Sequence, residues 1–258
     1  VAGYSLVIAA LVLPAGTLPS RRSSRRVMAI ALLVYAGGTL VASISWNTAV
    51  LYLGWAFIEG AAAAVLFPLT YTVLTVSYKD DDRATAFGLL AGISGLGSTL
   101  GPIIGGALTT YASWRWGFAL QLVGVAVILY FVRYVEPDPL SDSPSSLDKG
   151  GTVLSVIGST ALVTGFLLSG KYGWLLERRP FVVGETQLNP FGTSPTIWLL
   201  GVGLLTFAAF VQYERRLERA GASPLVPLGV LTNRPFVAGV IAYNLRSIIS
   251  AGFFFIFP

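Results

Sequence analysis

Glu59 is the one carboxylate in this sequence that falls well inside an apolar stretch, "GWAFIEGAAAAVLFP" (54–68). An acid in such a place is costly to keep, marks function by default, and can take up and release a proton. The alternative is a carboxyl facing a polar groove and held by Ser, Thr or Tyr hydroxyls. Arg246 is the only base inside an apolar stretch, and it either lines a cavity or compensates a carboxylate. Tyr71 and Gln121 are candidates to line a cavity that accepts apolar or cationic molecules. With no cysteine and no histidine, disulfides, Cys/His metal sites, thiol nucleophiles and imidazole acid–base chemistry are excluded. The three acids of "YKDDDR" (78–83) have nothing converging on them and read as a solvated loop, so no metal and no cofactor are expected.

A second motif is the glycine run "GISGLGSTLGPIIGG" (92–106). A phosphate-binding loop would need a strand before it, a helix after it and, for a nucleotide triphosphate, a lysine. Here both flanks, "RATAFGLLA" and "PIIGGALTTY", read as helix and there is no lysine. On a helix the spacing has a different meaning. Gly97, Gly101 and Gly105 stand four apart, with Gly106 adjoining, and Gly88 and Gly92 make another such step. Small residues at this interval let two helix backbones approach closely in lipid. Pro102 removes one helix hydrogen bond and favours a bend.

The elements that must position these residues are membrane helices. Residues of the hydrophobic set make up 54% of the chain and charged residues 11%, against roughly a quarter charged in soluble domains. Eight apolar stretches approach the ~20 residues needed to cross a bilayer. They are 1–18, 27–46, 48–78 with a kink expected at Pro68, 84–111, 116–135, 150–168, 196–213 and 236–258. The connections alternate in charge: one side carries twelve basic residues and the other four. The positive-inside rule then places the arginine-rich loop 19–26 in the cytoplasm. These arginines are topogenic and are also suited to anionic lipid. The charge pattern argues for topology rather than for nucleic acid. Trp46, Trp114, Trp116 and Trp174 fall at helix ends, as interfacial anchors do.

"EPDPLSDSPSSLDKGG" (136–151) reads as a linker. The organisation expected is a first bundle of five helices over 1–135 and a cytoplasmic linker over 136–150. Two further helices with a long outer loop follow over 151–213, then a cytoplasmic loop and the first helix of another bundle over 214–258. Both ends fall inside apolar runs, the pattern expected of a piece of a longer membrane protein. The fold class expected is all-α membrane.

The glycine stretch has a more specific reading. Gly88, Gly97, Gly101-Pro102 and Gly105-Gly106 together resemble the antiporter signature in the fifth helix of major facilitator superfamily exporters, with every fixed position matched. "GTLPSRRSSRRV" (16–27) is similar to the loop motif between that superfamily's second and third helices through Gly16, Leu18, Arg21, Arg25 and Arg26. Ser20 replaces its usual Asp and Ser23 its Gly. "DDRATAFG", "SWRWGFALQL" and "YERRLERAGASPLVPLGVLTNRPF" resemble the fourteen-helix drug:proton antiporters, with Gln121 where Asn is common. The resemblance covers nearly the whole chain, as helices two to nine of an incomplete major facilitator bundle.

It implies a multi-pass protein of the plasma membrane that exports a small molecule in exchange for protons, with Gly16, Arg21, Arg25 and Arg26 as gating contacts. One departure is weighty. Counted back from Gly60, Ala56 stands where the family carries a membrane arginine linked to proton coupling, and Glu59 stands where a Gln is frequent. An intramembrane enzyme is disfavoured by the single acid. A transporter-like facilitator, sensor or scaffold is the alternative. The oligomeric state is not legible.

Overall fold

The computed structural model describes residues 2–18, 23–135, 148–183, 186–187 and 192–256. These form eight helices at the places the apolar stretches predict: α1 Ala2–Ala15, α2 Ser24–Ser43, α3 Thr48–Ser77, α4 Asp80–Tyr111, α5 Arg115–Val132, α6 Lys149–Tyr172, α7 Pro195–Arg219 and α8 Arg234–Ile256. Among the described residues six of them, α2 to α7, are long and apolar enough to cross a bilayer. At 14 residues α1 is short of that length. Arg21, Arg22 and most of the linker 136–150 lie outside the described residues.

The helix boundaries follow from capping chemistry. Asn47 caps α3, its Oδ1 accepting from the Val50 N–H at 2.8 Å. Ser194 caps α7 by accepting from the Thr196 N–H, and Pro195 occupies the first helical position. Gly173, at φ 89°, ends α6. The Ser194 hydroxyl donates to the Gly173 carbonyl at 2.7 Å and ties the end of α6 to the start of α7. The loop between them holds a short antiparallel pairing, Val182–Val183 with Thr186–Gln187, and an isolated antiparallel bridge between Leu176 and Thr193.

The acidic run Asp80–Asp82 is not a solvated loop. It forms the first turn of α4, where three carboxylates favour the positive end of the helix dipole. Arg83 reaches back from that turn. Its Nε donates to the Tyr78 carbonyl and its Nη2 to the Thr75 carbonyl, both at 2.9 Å, closing the end of α3. Helix α4 runs unbroken through Pro102 as one 32-residue element.

Helix α2 packs on α3 and α5, α1 packs on α3 and α6, and α6 pairs closely with α7. A core of Leu32, Val125 and Val132, joined by Met28, Leu66 and Leu129, holds α2, α3 and α5 together. Helices α2 and α3 approach each other closely at their glycines. A Cβ added at Gly38 would lie 2.7 Å from the Glu59 nitrogen and from the Gly54 carbonyl oxygen, and one at Gly54 2.7 Å from the Ala42 nitrogen. The α6–α7 pair uses the same device, with Gly158 beneath Phe207 and Gly203 against Leu162.

Candidate functional site

Within α3 the stretch Tyr52–Glu59 is wound as a π-helix, and regular α-helix resumes at Gly60. In π-winding, residues five apart stack, so Gly54 and Glu59 lie along one face instead of being turned away from each other. That face meets α2 at Gly38. π-Helical turns occur frequently at functional sites.

Glu59 is 1% exposed. Its Oε2 accepts from the Thr39 hydroxyl of α2 at 2.9 Å, and its Oε1 accepts from the Gln121 side-chain amide of α5 at 2.9 Å. The same Gln121 amide donates to the Tyr35 hydroxyl. The sequence expectation of hydroxyl partners is thus met by Thr39, and the amide of Gln121 is added to it. The structure therefore brings together two of the predicted residues, Glu59 and Gln121, and adds Thr39 and Tyr35.

Above this cluster lies a cavity of about 380 Å³, walled by apolar side chains such as Leu32, Leu66 and Phe67, with Tyr4, Tyr35 and Gln121 at its polar end. Four helices contribute: α1, α2, α3 and α5. Behind Tyr4, Trp55 stacks on its ring at 6.0 Å and lies edge-on to Phe118 at 6.2 Å. Tyr71 does not line this cavity; it stacks on Phe87 of α4 at 6.0 Å. Arg246 is exposed on α8, without a hydrogen bond or ion pair to any described residue, and is not brought to Glu59. A buried carboxyl held by the Thr39 and Tyr35 hydroxyls and the Gln121 amide, next to an apolar space, can hold or give up a proton.

The family model of the Major Facilitator Superfamily matches residues 1–258. The chain belongs to the Major Facilitator Superfamily. It is a multi-pass membrane protein. It is 27% identical over 235 residues to the puromycin resistance protein pur8 of Streptomyces alboniger, covering 91% of this chain and 42% of that protein. It is 30% identical over 227 residues to the cephamycin export protein CmcT of Amycolatopsis lactamdurans, covering 87% and 42%. To multidrug resistance protein 3 of Bacillus subtilis it is 25% identical over 242 residues, covering 93% and 43%. The chain thus spans less than half the length of these superfamily relatives.

The glycines that resemble an antiporter signature, Gly88, Gly97, Gly101, Gly105 and Gly106, all lie on α4 with nothing within 4 Å of an added Cβ, so the glycine face meets no described residue. No residue of α4 is buried. The helix contact that needs missing side chains is made elsewhere, by Gly38 and Gly54, which have no regular spacing to reveal them. Gly16 follows α1, its N–H bonded to the Val12 carbonyl at 3.0 Å. Arg25 and Arg26 open α2 and share a hollow with Arg133 at the end of α5, and Arg21 lies outside the described residues. Ala56 is 1% exposed, its Cβ 3.4 Å from where a Cβ on Gly3 would stand. The position counted as the superfamily's arginine is therefore filled by close packing of α1 on α3.

Proposed function

We propose that the intact protein is a secondary active transporter of the cytoplasmic membrane. It exports small drug-like or amphipathic molecules by alternating access, in exchange for protons, and Glu59 carries the proton. The observation that supports this reading is the position of Glu59, buried between α2, α3 and α5 and bonded to Gln121, which lines an apolar cavity. Both of its oxygens accept hydrogen bonds from neutral donors, so no fixed positive charge pins the carboxyl in one protonation state. The apolar walls suit an amphipathic ligand, and the export and resistance functions named for the relatives fit that class. Transport by rocking of two bundles about a central site is the mode such folds support. The arginine-rich loop 19–26 faces the cytoplasm in this reading, and the protein works as a carrier and not as an enzyme.

A second reading has Ala56 in its favour: without the arginine of the resembling antiporters, the protein acts as an uncoupled facilitator or as a transporter-like sensor or scaffold. Full-length protein in liposomes separates the two. Glu59→Gln abolishes pH-driven uptake and leaves exchange of labelled substrate intact if Glu59 carries the proton. Unchanged pH-driven uptake removes Glu59 from the mechanism. Absence of flux over a broad substrate panel, with folding verified, sinks the exporter reading altogether.

A further inference from the structure

Away from the Glu59 cavity, two carboxylates meet where α6 begins and α7 ends. Asp148 is 8% exposed and Glu214 is 0% exposed. Asp148 caps α6, its Oδ1 accepting from the Gly151 N–H at 2.9 Å. Glu214 is the first residue after the apolar part of α7, and its Oε2 accepts from the Val226 N–H at 3.4 Å. One turn on, the Glu218 Oε1 accepts from the Leu228 N–H at 2.6 Å. These carboxylates therefore fasten the chain segment leading to α8 onto the end of the α6–α7 pair, with Leu225 buried beneath it.

The remaining oxygens are the informative ones. Asp148 Oδ2 and Glu214 Oε1 are buried and accept no hydrogen bond from any described residue. They converge on the same point: a Cβ added at Gly151 would collide with both. Gly151 is what leaves the two carboxyls room to face each other. Two acceptors in contact make a hydrogen bond only when one of them carries a proton, and two dry carboxylates side by side cannot both stay ionised. Among the described residues no counter-charge is bonded to the pair. Lys149 on α6 and Arg215, Arg216 and Arg219 on α7 are exposed. The Tyr213 hydroxyl, lying over Gly150, faces Asp148 as a neutral group, and α1, which packs on α6, has no charged residue. The segment 220–227 and the turn Leu228–Thr232 have no titratable side chain.

We propose that Asp148 and Glu214 form a proton-binding pair that latches the segment 222–228 to the α6–α7 hairpin. With one proton between them, a carboxylic acid donates to a carboxylate and the pair carries a single negative charge. When that proton leaves to solvent, two facing anions remain in a dry site, and Glu214 parts from Asp148 and takes the Val226 contact with it. This latch is independent of any role of Glu59.

The test is hydrogen exchange on the full-length protein in lipid nanodiscs, with protection corrected for the intrinsic effect of pH. Protection at Val226 and Leu228 is expected to fall roughly tenfold or more between about pH 5 and about pH 8 in the wild type. Asp148→Asn and Glu214→Gln each supply a permanent N–H donor in place of the shared proton, so each keeps the segment protected at both pH values. Protection that is flat with pH in the wild type, or that falls equally in both variants, overturns the proposal. Should one variant fail to fold, the other carries the test alone. Restoration of protection at about pH 8 by millimolar calcium or magnesium also overturns it, in favour of a cation bridge.

Discussion

Gly37 and Gly38 are neighbours on α2, yet replacing them with Ala has opposite expected outcomes. Nothing lies within 4 Å of a Cβ added at Gly37, whereas one at Gly38 meets the backbone of α3 at 2.7 Å. The struck atoms are the Glu59 nitrogen and the Gly54 oxygen, both fixed in a helix, so no side chain can swing aside. Reaching an ordinary contact of 3.4 Å requires the helices to part by about 0.7 Å. Thr39 follows Gly38 on the same helix, and its 2.9 Å bond to Glu59 stretches by the same movement to about 3.6 Å, beyond hydrogen-bond range.

The energies can be set against one another. Overpacking costs about 1–3 kcal/mol, and the lost hydrogen bond about 1 kcal/mol. Ala gains up to about 1 kcal/mol over Gly in a helix interior. Gly38→Ala should therefore destabilise by a net ~1–3 kcal/mol, while Gly37→Ala is neutral or mildly stabilising. Equilibrium unfolding of the full-length protein in mixed micelles, followed by circular dichroism, measures both. Equal stability of the two variants would refute the close α2–α3 crossing, and with it the placement of Thr39 on Glu59.

Two further outcomes rest on packing and capping. Ala56→Arg, which restores the residue of the resembling antiporters by sequence count, is expected to lower folded yield rather than add proton coupling, because Ala56 is buried against Gly3. A well-folded variant with increased pH-driven uptake would show that α1 gives way there. Arg83→Ala and Arg83→Lys should both speed hydrogen exchange over residues 75–79, since neither reproduces the fork that bonds two carbonyls. Exchange restored to wild-type rates by Lys would show that charge alone suffices.

The positions of the helices were legible because a bilayer imposes long apolar runs and charge collects between them. Glu59 was legible for the same reason, as the lone acid in such a run. Its partners were not. Thr39 and Gln121 lie 20 and 62 residues away in sequence, and only the packing of α2 and α5 on α3 selects them from the many polar side chains available. The glycines misled in an instructive way. The regular run on α4 draws the eye but touches no described residue, while the irregular Gly38 and Gly54 carry the close crossing. Periodicity reports a face that can accept a neighbour, not which neighbour arrives. The acids of "KDDDR" read as loop because three charges are unfavourable in the middle of a helix; at its first turn they are favourable.

The π-winding of α3 changes how this chain must be aligned with any relative whose helix is regular. The Gly60 N–H bonds to the Trp55 carbonyl, five residues back. A ladder closed over five residues in place of four sets the later turns of the helix out of step by one residue, about 100° of rotation. The side chain lying one turn beneath Gly60 is then Trp55, clasped between Tyr4 and Phe118, while Ala56 is carried round against Gly3. An ungapped alignment matches Ala56 to the antiporter arginine by number. Against a helix that is regular through this stretch, superposition would need a one-residue gap, and Trp55 rather than Ala56 would then stand one turn before Gly60.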